Sequence, residues 1–201
     1  MWGDISITFL LAFITTYVFT PYSIRLARKV KALDIPKDKR KIHKKIMPRL
    51  GGVAIVAGFL VSAIYLIIAM IIEGKLDIFT NKYYLKLIGF FLGIIILEIF
   101  CYFDDTKGIK PIIKLIGQLI AAIIVVSCGV VIDRIFITST SSIISNEIFL
   151  KIFTVFWIVG ITNAINLLDG LDGLSSGVSL ICYLYNSCYC SCRFTSRFLT
   201  F

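Results

Sequence analysis

Apolar residues in this chain gather into long runs with short polar stretches between them. Five runs approach the roughly 20 residues that cross a bilayer as a helix. They are Ile5–Ser23, Val53–Ile72, Leu85–Phe103, Ile112–Ile132 and Ile148–Leu168, and a sixth begins near Leu174. Val53–Ile72 contains no charged residue at all. The first run has neither a basic leader nor a small-residue cleavage site, so it reads as a retained span and not a signal peptide. The pattern predicts an all-α, polytopic transmembrane helical protein with about five complete spans and a partial sixth. Between the fourth and fifth runs, residues 133–147 carry Ile135, Ile137, Thr138 and Thr140, which predicts a short β-hairpin.

Composition sharpens this picture. The chain has 201 residues, a mean hydropathy of +0.93 and a net charge of +9. A basic chain invites a nucleic-acid reading. Here 58% of residues are hydrophobic and 16% charged, where soluble domains carry about 25% charged. The charge is also localised. Residues 25–50 hold eleven Lys/Arg against Asp34 and Asp38, which accounts for the whole net charge. One basic loop on a neutral apolar chain implies a membrane partner and no nucleic acid. By the positive-inside rule that loop is cytoplasmic. Alternation then places the N-terminus outside, 104–111 inside, 133–147 outside, and the segment after 166 inside.

Three polar constellations remain, all on the inferred cytoplasmic face. Asp104-Asp105 directly follows the run ending at Phe103. Adjacent carboxylates at a membrane boundary repel each other and need water, a cation or a basic partner. They suit phosphate chemistry with Mg²⁺, or else form a solvated helix end before Lys107-Gly108. Asn163, Asn166, Asp169 and Asp172 recur every third position, so a helix would align them as one polar stripe beside Gly170 and Gly173. Two amides and two acids at the mouth of a span are costly unless used, the alternative being a glycine-rich capped exit. The third is His43-Lys-Lys-Ile-Met-Pro-Arg-Leu-Gly-Gly52, where Pro48 is expected to stop a preceding helix. Its Lys and Arg suit a diphosphate or an anionic headgroup, or only orient the chain. His43 is the sole histidine and builds no metal site by itself.

Glu98 lies inside the third run, on one helical face with Tyr102 and Asp105. A structural pairing with Lys114 or Gln118 is expected for it. Lys86 and Lys114 sit at span ends, where they can snorkel. Trp157 is expected as packing.

From about Thr20 to Ser179 the chain resembles the polyprenyl-phosphate N-acetylhexosamine-1-phosphate transferase family, glycosyltransferase family 4. The resemblance rests on the loop ending His43–Gly52, on Phe103-Asp-Asp-Thr-Lys-Gly108, and on Trp157-Ile-Val-Gly-Ile-Thr-Asn-Ala-Ile-Asn-Leu-Leu-Asp-Gly-Leu-Asp-Gly-Leu174. The Arg-Leu-Gly-Gly loop is similar to the branch that starts teichoic acid, O-antigen and related cell-envelope polymers from UDP-GlcNAc. The branch using UDP-MurNAc-pentapeptide more usually carries Thr-Pro-Thr-Met-Gly-Gly there. Many relatives have Pro where this chain has Ile46.

The resemblance implies a multi-pass plasma-membrane enzyme, Mg²⁺ with Mn²⁺ as an alternative, and polyprenyl phosphate and a UDP-sugar as partners. A homodimer is compatible with it. It implies that undecaprenyl phosphate attacks the UDP-sugar, giving a lipid-linked sugar diphosphate and UMP. Asp104, Asp105, Asp169 and Asp172 are implied as catalytic. Lys45, Arg49, Asn163 and Asn166 are implied as substrate-binding, and Asp104, Asp105 and Asn166 as metal ligands.

Members of that family are longer, with a further Gly-Asp-Ser/Ala-Gly motif and a His/Arg-rich loop that these 201 residues lack. The expectation is therefore that residues 1–181 are the N-terminal half of a transferase domain. Residues 182–201 carry four of the six cysteines without metal-ligand spacing. Codons chosen from those permitted for 182–198 can, when read one base later, give an ordinary membrane helix running into a turn, so the tail is expected to be a frameshift product. Such a chain is expected to be inactive. The readings from other classes are a non-catalytic membrane fragment or partner subunit, and a transporter.

Overall fold

The computed structural model describes residues 2–34, 46–74, 83–132, 135–137, 142–144, 146–169 and 173–198. Among the described residues six α-helices dominate: α1 (Trp2–Lys29), α2 (Gly51–Ile72), α3 (Tyr83–Lys107), α4 (Pro111–Ser127), α5 (Glu147–Leu168) and α6 (Leu174–Phe198). Two short antiparallel pairs interrupt them. β1 (Leu33–Asp34) pairs with β2 (Met47–Pro48), and β3 (Ile135–Ile137) with β4 (Ser142–Ile144). Among the described residues four helices are long and apolar enough to cross a membrane: Gly3–Lys29, Gly51–Ile72, Tyr83–Lys107 and Glu147–Leu168.

The packing is inverted relative to a water-soluble core. Phe9, Phe13, Tyr17, Ile72 and Phe156 are exposed, while Ala27, Ala54, Ala121 and Ala122 are buried. In lipid, outward apolar side chains lose nothing, and small residues let backbones approach. Gly58 of α2 packs on Ala12 and Thr16 of α1, and Gly89 and Gly93 of α3 pack on Cys128 and Val125. These close approaches make two helix pairs, α1 with α2 and α3 with α4.

The chain forms two compact units, Met1–Val155 and Phe156–Phe201. In the first, the polar ends of α1, α2 and α3 share a small core of Ala27, Ala32 and Leu50, with Val30, Val53 and Tyr102 packed against it. The chain leaves α1 through a left-handed residue, Lys31, at φ 59°. Ala32 N–H donates to Ala27 O and Lys31 N–H to Arg28 O, which is a Schellman ending whose apolar contact is the Ala27–Ala32 pair.

Several boundaries differ from the sequence expectation. The fourth run was expected to reach Ile132, but α4 ends at Ser127. Gly129 at φ 91°, with Gly129 N–H bonded to Val126 O and Val130 N–H to Val125 O, closes the helix with a second Schellman motif. α1 continues through Arg25, Arg28 and Lys29, so the basic stretch begins on a helix. Pro48 does not terminate a helix. It lies in β2 opposite Leu33, an edge position where its missing N–H costs no ladder bond. Trp157, expected as packing, is 54% exposed.

Candidate functional site

Asp104 and Asp105 do not follow the third span but form part of its last turn. α3 ends at Gly108, whose φ of 64° and N–H bond to Asp104 O (2.8 Å) make a left-handed cap. After Ile109 and Lys110, Pro111 opens α4 at a position where its missing N–H is harmless. This tight turn brings Lys114 back beside the aspartates. Lys114 Nζ lies 2.8 Å from Asp104 Oδ2, with both side chains mostly buried. The basic partner that the adjacent carboxylates required is therefore Lys114, for Asp104. Lys114 neither snorkels alone nor pairs with Glu98. Asp105 and Glu98 stand on one face of α3, close enough for their charges to interact.

The first-loop segment reaches the same end of the unit. Arg49 N–H donates to Ala32 O at 3.1 Å, and the Arg49 guanidinium lies 4.0 Å from Asp34. Arg49 is exposed, whereas the following Leu50 is 1% exposed. Ser23 of α1 donates its hydroxyl to Leu50 O. Leu50 thus acts as an anchor that holds Arg49 outward beside the strand pair. Tyr102, on the α3 face that also bears Asp105, packs against that anchor. The structure brings the Arg49–Gly52 segment and the α3 face bearing Asp105 to one polar end. Lys45 and His43 lie outside the described residues.

In the second unit, Asn163 and Asn166 lie on the last two turns of α5. Of the expected four-residue stripe, Asn163 and Asn166 are the two that lie within α5. α5 ends at Leu168, Asp169 occupies the turn that follows, and Gly173 at φ 77° precedes α6. Asp172 lies outside the described residues. Asn163 Nδ2 donates to Val159 O one turn back, so its amide nitrogen serves its own helix. Asp169 is exposed, and its N–H bonds Ile165 O.

Lys114, Asp34 and Ser23 were not singled out from the sequence as parts of this site. Only the proximity of Lys114 had a signal: Asp104, a glycine-containing turn and a lysine one turn into the next helix. Among the described residues no group of three or more His, Cys, Asp or Glu is gathered to hold a metal ion.

A family model described as glycosyl transferase family 4 matches residues 87–199, more than half of the chain. The chain belongs to glycosyl transferase family 4. Among curated family relatives, it is 39% identical over 181 residues to a probable undecaprenyl-phosphate N-acetylglucosaminyl 1-phosphate transferase of Bacillus subtilis, covering 88% of this chain and 46% of that protein. It is 30% identical to a phospho-N-acetylmuramoyl-pentapeptide-transferase of Lactobacillus gasseri, covering 88% of this chain and 56% of that protein. It is also 30% identical to a decaprenyl-phosphate N-acetylglucosaminephosphotransferase of Mycobacterium leprae, covering 89% and 44%. The chain spans about half the length of the curated relatives it matches. No solved structure gives a significant match. Family membership and the long apolar helices together make this a multi-pass membrane protein.

Proposed function

We propose that this chain contributes the polyprenyl-phosphate and UDP-sugar end of a sugar-1-phosphate transferase. An oxygen of the lipid phosphate attacks the β-phosphorus of UDP-GlcNAc. The bond to the α-phosphate breaks, UMP leaves, and GlcNAc-diphosphate-lipid remains. The carrying observation is the meeting of the Arg49–Gly52 segment with the aspartate-bearing face of α3 through Leu50 and Tyr102. Identity to the Bacillus subtilis relative supports the GlcNAc branch. Such a lipid-linked sugar starts a cell-envelope polymer, with teichoic acid one destination.

The residues divide the work. Asp105 is the carboxylate that takes the proton from the lipid phosphate or helps hold a divalent ion. Asp104, neutralised by Lys114, fixes Asp105 in place. Arg49, exposed on its anchor, and Lys45 offset phosphate charge. In the second unit, Asn166, Asp169 and Asp172 are the residues for the nucleotide. These donors are all oxygens, which suits Mg²⁺, an ion commonly held by one or two carboxylates plus substrate phosphates. Asp105 would help hold it, and its charge would offset repulsion between two anionic substrates. The basic stretch supports an orientation with this end in the cytoplasm and the N-terminus outside. Polyprenyl phosphate then arrives from the bilayer and the nucleotide from the cytosol.

The test uses membranes carrying the chain, alone or joined to the remaining half of the Bacillus subtilis relative. The joined protein should release UMP from UDP-GlcNAc and undecaprenyl phosphate, and should form the lipid-linked sugar. A joined protein that reaches the membrane yet forms no such product would overturn the proposal.

A further inference from the structure

Glu98 is an acid within a membrane-spanning helix, and the reaction above does not use it. Such residues are expensive to keep in lipid and need a compensating partner. No basic side chain among the described residues forms an ion pair with it. Its neighbour is a helix end. A Cβ built on Gly52 would meet Glu98 Oε2 at 4.0 Å, and no other atom outside its chain neighbours and the nearby backbone of α2 comes as close. Gly52 is the second residue of α2, which starts at Gly51.

That end of α2 lacks the usual neutralising groups. Its N-cap residue is Leu50, which makes no side-chain cap hydrogen bond, and the first turn contains no acidic residue. The first N–H groups of a helix are unpaired and carry a partial positive charge. A carboxylate there is stabilising wherever in the chain it comes from. Glycine at 52 leaves no side chain between α3 and the start of α2. The intramembrane acid, the Gly52 contact and the uncapped helix start are thus three observations with one account.

We propose that Glu98 is a positioning residue. Its carboxylate serves, from α3, as the missing negative group at the start of α2, and so holds the Arg49-Leu50-Gly51-Gly52 segment against the α3 face that carries Asp105. Tyr102, one turn above Glu98, closes the same contact on the Leu50 core. The inference rests on the proposed function only for what the positioning serves; the lock itself is a property of the fold.

The experiment uses the full chain in membranes, with its native cysteines replaced. A cysteine at Ala32, 1% exposed within the Leu50 core, reports whether that core is closed. Maleimide labelling should be slow with Glu98 present and at least ten-fold faster in Glu98→Leu. Glu98→Gln, a milder change, should give a smaller rise. Adding Gly51→Asp to Glu98→Leu should restore slow labelling, because position 51 opens into free space and gives α2 a carboxylate of its own. Independently, Gly52→Cys and Glu98→Cys should be joined by a short bifunctional thiol reagent, which spans the gap that the Glu98 side chain fills. Unchanged labelling in Glu98→Leu, no restoration by Gly51→Asp, or no cross-link in protein that reaches the membrane would each overturn the proposal. Packing volume alone predicts no rescue by a carboxylate at 51. None of these readouts needs substrate, so loss of transfer with an intact lock would count against the proposed reaction instead.

Discussion

The two ends of the first unit handle their polar groups in opposite ways. At the end bearing Asp104, Asp105 and Arg49, partners come from other elements. Lys114 reaches Asp104 from the next helix, and Ser23 of α1 holds the carbonyl of Leu50. At the other end, partners are mainly local. Lys151 pairs with Glu147 one turn away on the same helix, Asn146 Oδ1 accepts from the N–H groups of Ile148 and Phe149, and Thr154 donates to Leu150 O; one bond between elements joins them, from Ile132 N–H to Thr154 Oγ1. A cavity of about 380 Å³ opens there, lined by Val126, Gly129, Ile132, Glu147, Leu150 and Lys151 among others, and its charged side chains among the described residues are that same Glu147–Lys151 pair. Local bonds satisfy a helix end, whereas bonds between elements fix where each element stands. The first end is built for position, as chemistry between two bound substrates requires.

Substitutions at each end can break or sharpen this contrast. The largest effect is expected from Asp105→Asn in the joined protein, which should lower UMP release about 10²–10³-fold, the loss typical of removing a preorganised charged group. An Asp105→Asn protein that keeps its turnover would leave the first end without a chemical purpose. Next comes the Asp104–Lys114 pair, which is largely buried. Lys114→Met should destabilise the chain by about 1–3 kcal/mol in a detergent melt, because Asp104 is left desolvated and unneutralised. Adding Asp104→Leu should recover part of that loss, as it does when both members of a buried pair are removed. If the double variant is worse than either single one, the pair is not the coupling between α3 and α4.

Gly117→Ala should cost about 1–3 kcal/mol, since the added methyl collides with the Phe100 ring across the same interface. Lys31→Gly should work in the opposite direction, raising stability by about 1 kcal/mol by relieving a left-handed conformation in a residue with a Cβ. At the far end, Glu147→Gln should produce no measurable shift in the same melt. Its pair with Lys151 is an exposed contact within one helix, and such pairs contribute little. A clear loss there would erase the distinction between the two ends.

Much of this was legible in the sequence because lipid imposes a simple rule. Apolar runs such as Val53–Ile72 must be helices, since no other single segment satisfies its backbone in hydrocarbon. The hairpin at β3 and β4 was readable from its β-branched residues, and the paired aspartates from their place at the end of such a run. What the sequence hid depends on contacts between distant positions or on helix endings. The strand pair Leu33–Asp34 with Met47–Pro48 lies in a stretch whose lysines and arginines drown any alternation. The end of α4 at Ser127 depends on Gly129, and hydropathy does not register a left-handed glycine amid apolar residues. The site was read as motifs, but not as neighbours. Lys114 looked like a snorkelling span end until the turn at Gly108 folded it onto Asp104. The stripe from Asn163 to Asp172 looked like one helix face because a three-residue spacing does not reveal that the helix stops at Leu168.

Asp104 is held twice. Its carbonyl accepts from Gly108 N–H, and its carboxylate accepts from Lys114. Tilting the end of α3 would break both bonds together, so this corner resists fraying. On the nanosecond-to-microsecond scale of loop motion, α3 and α4 should travel as one hairpin. Whatever adjustment accompanies the arrival of a lipid phosphate must then fall on the opposite wall, where Arg49 stands on two-residue strands and a 4.0 Å contact to Asp34. The aspartates set the coordinates of the site, and the basic wall does the yielding.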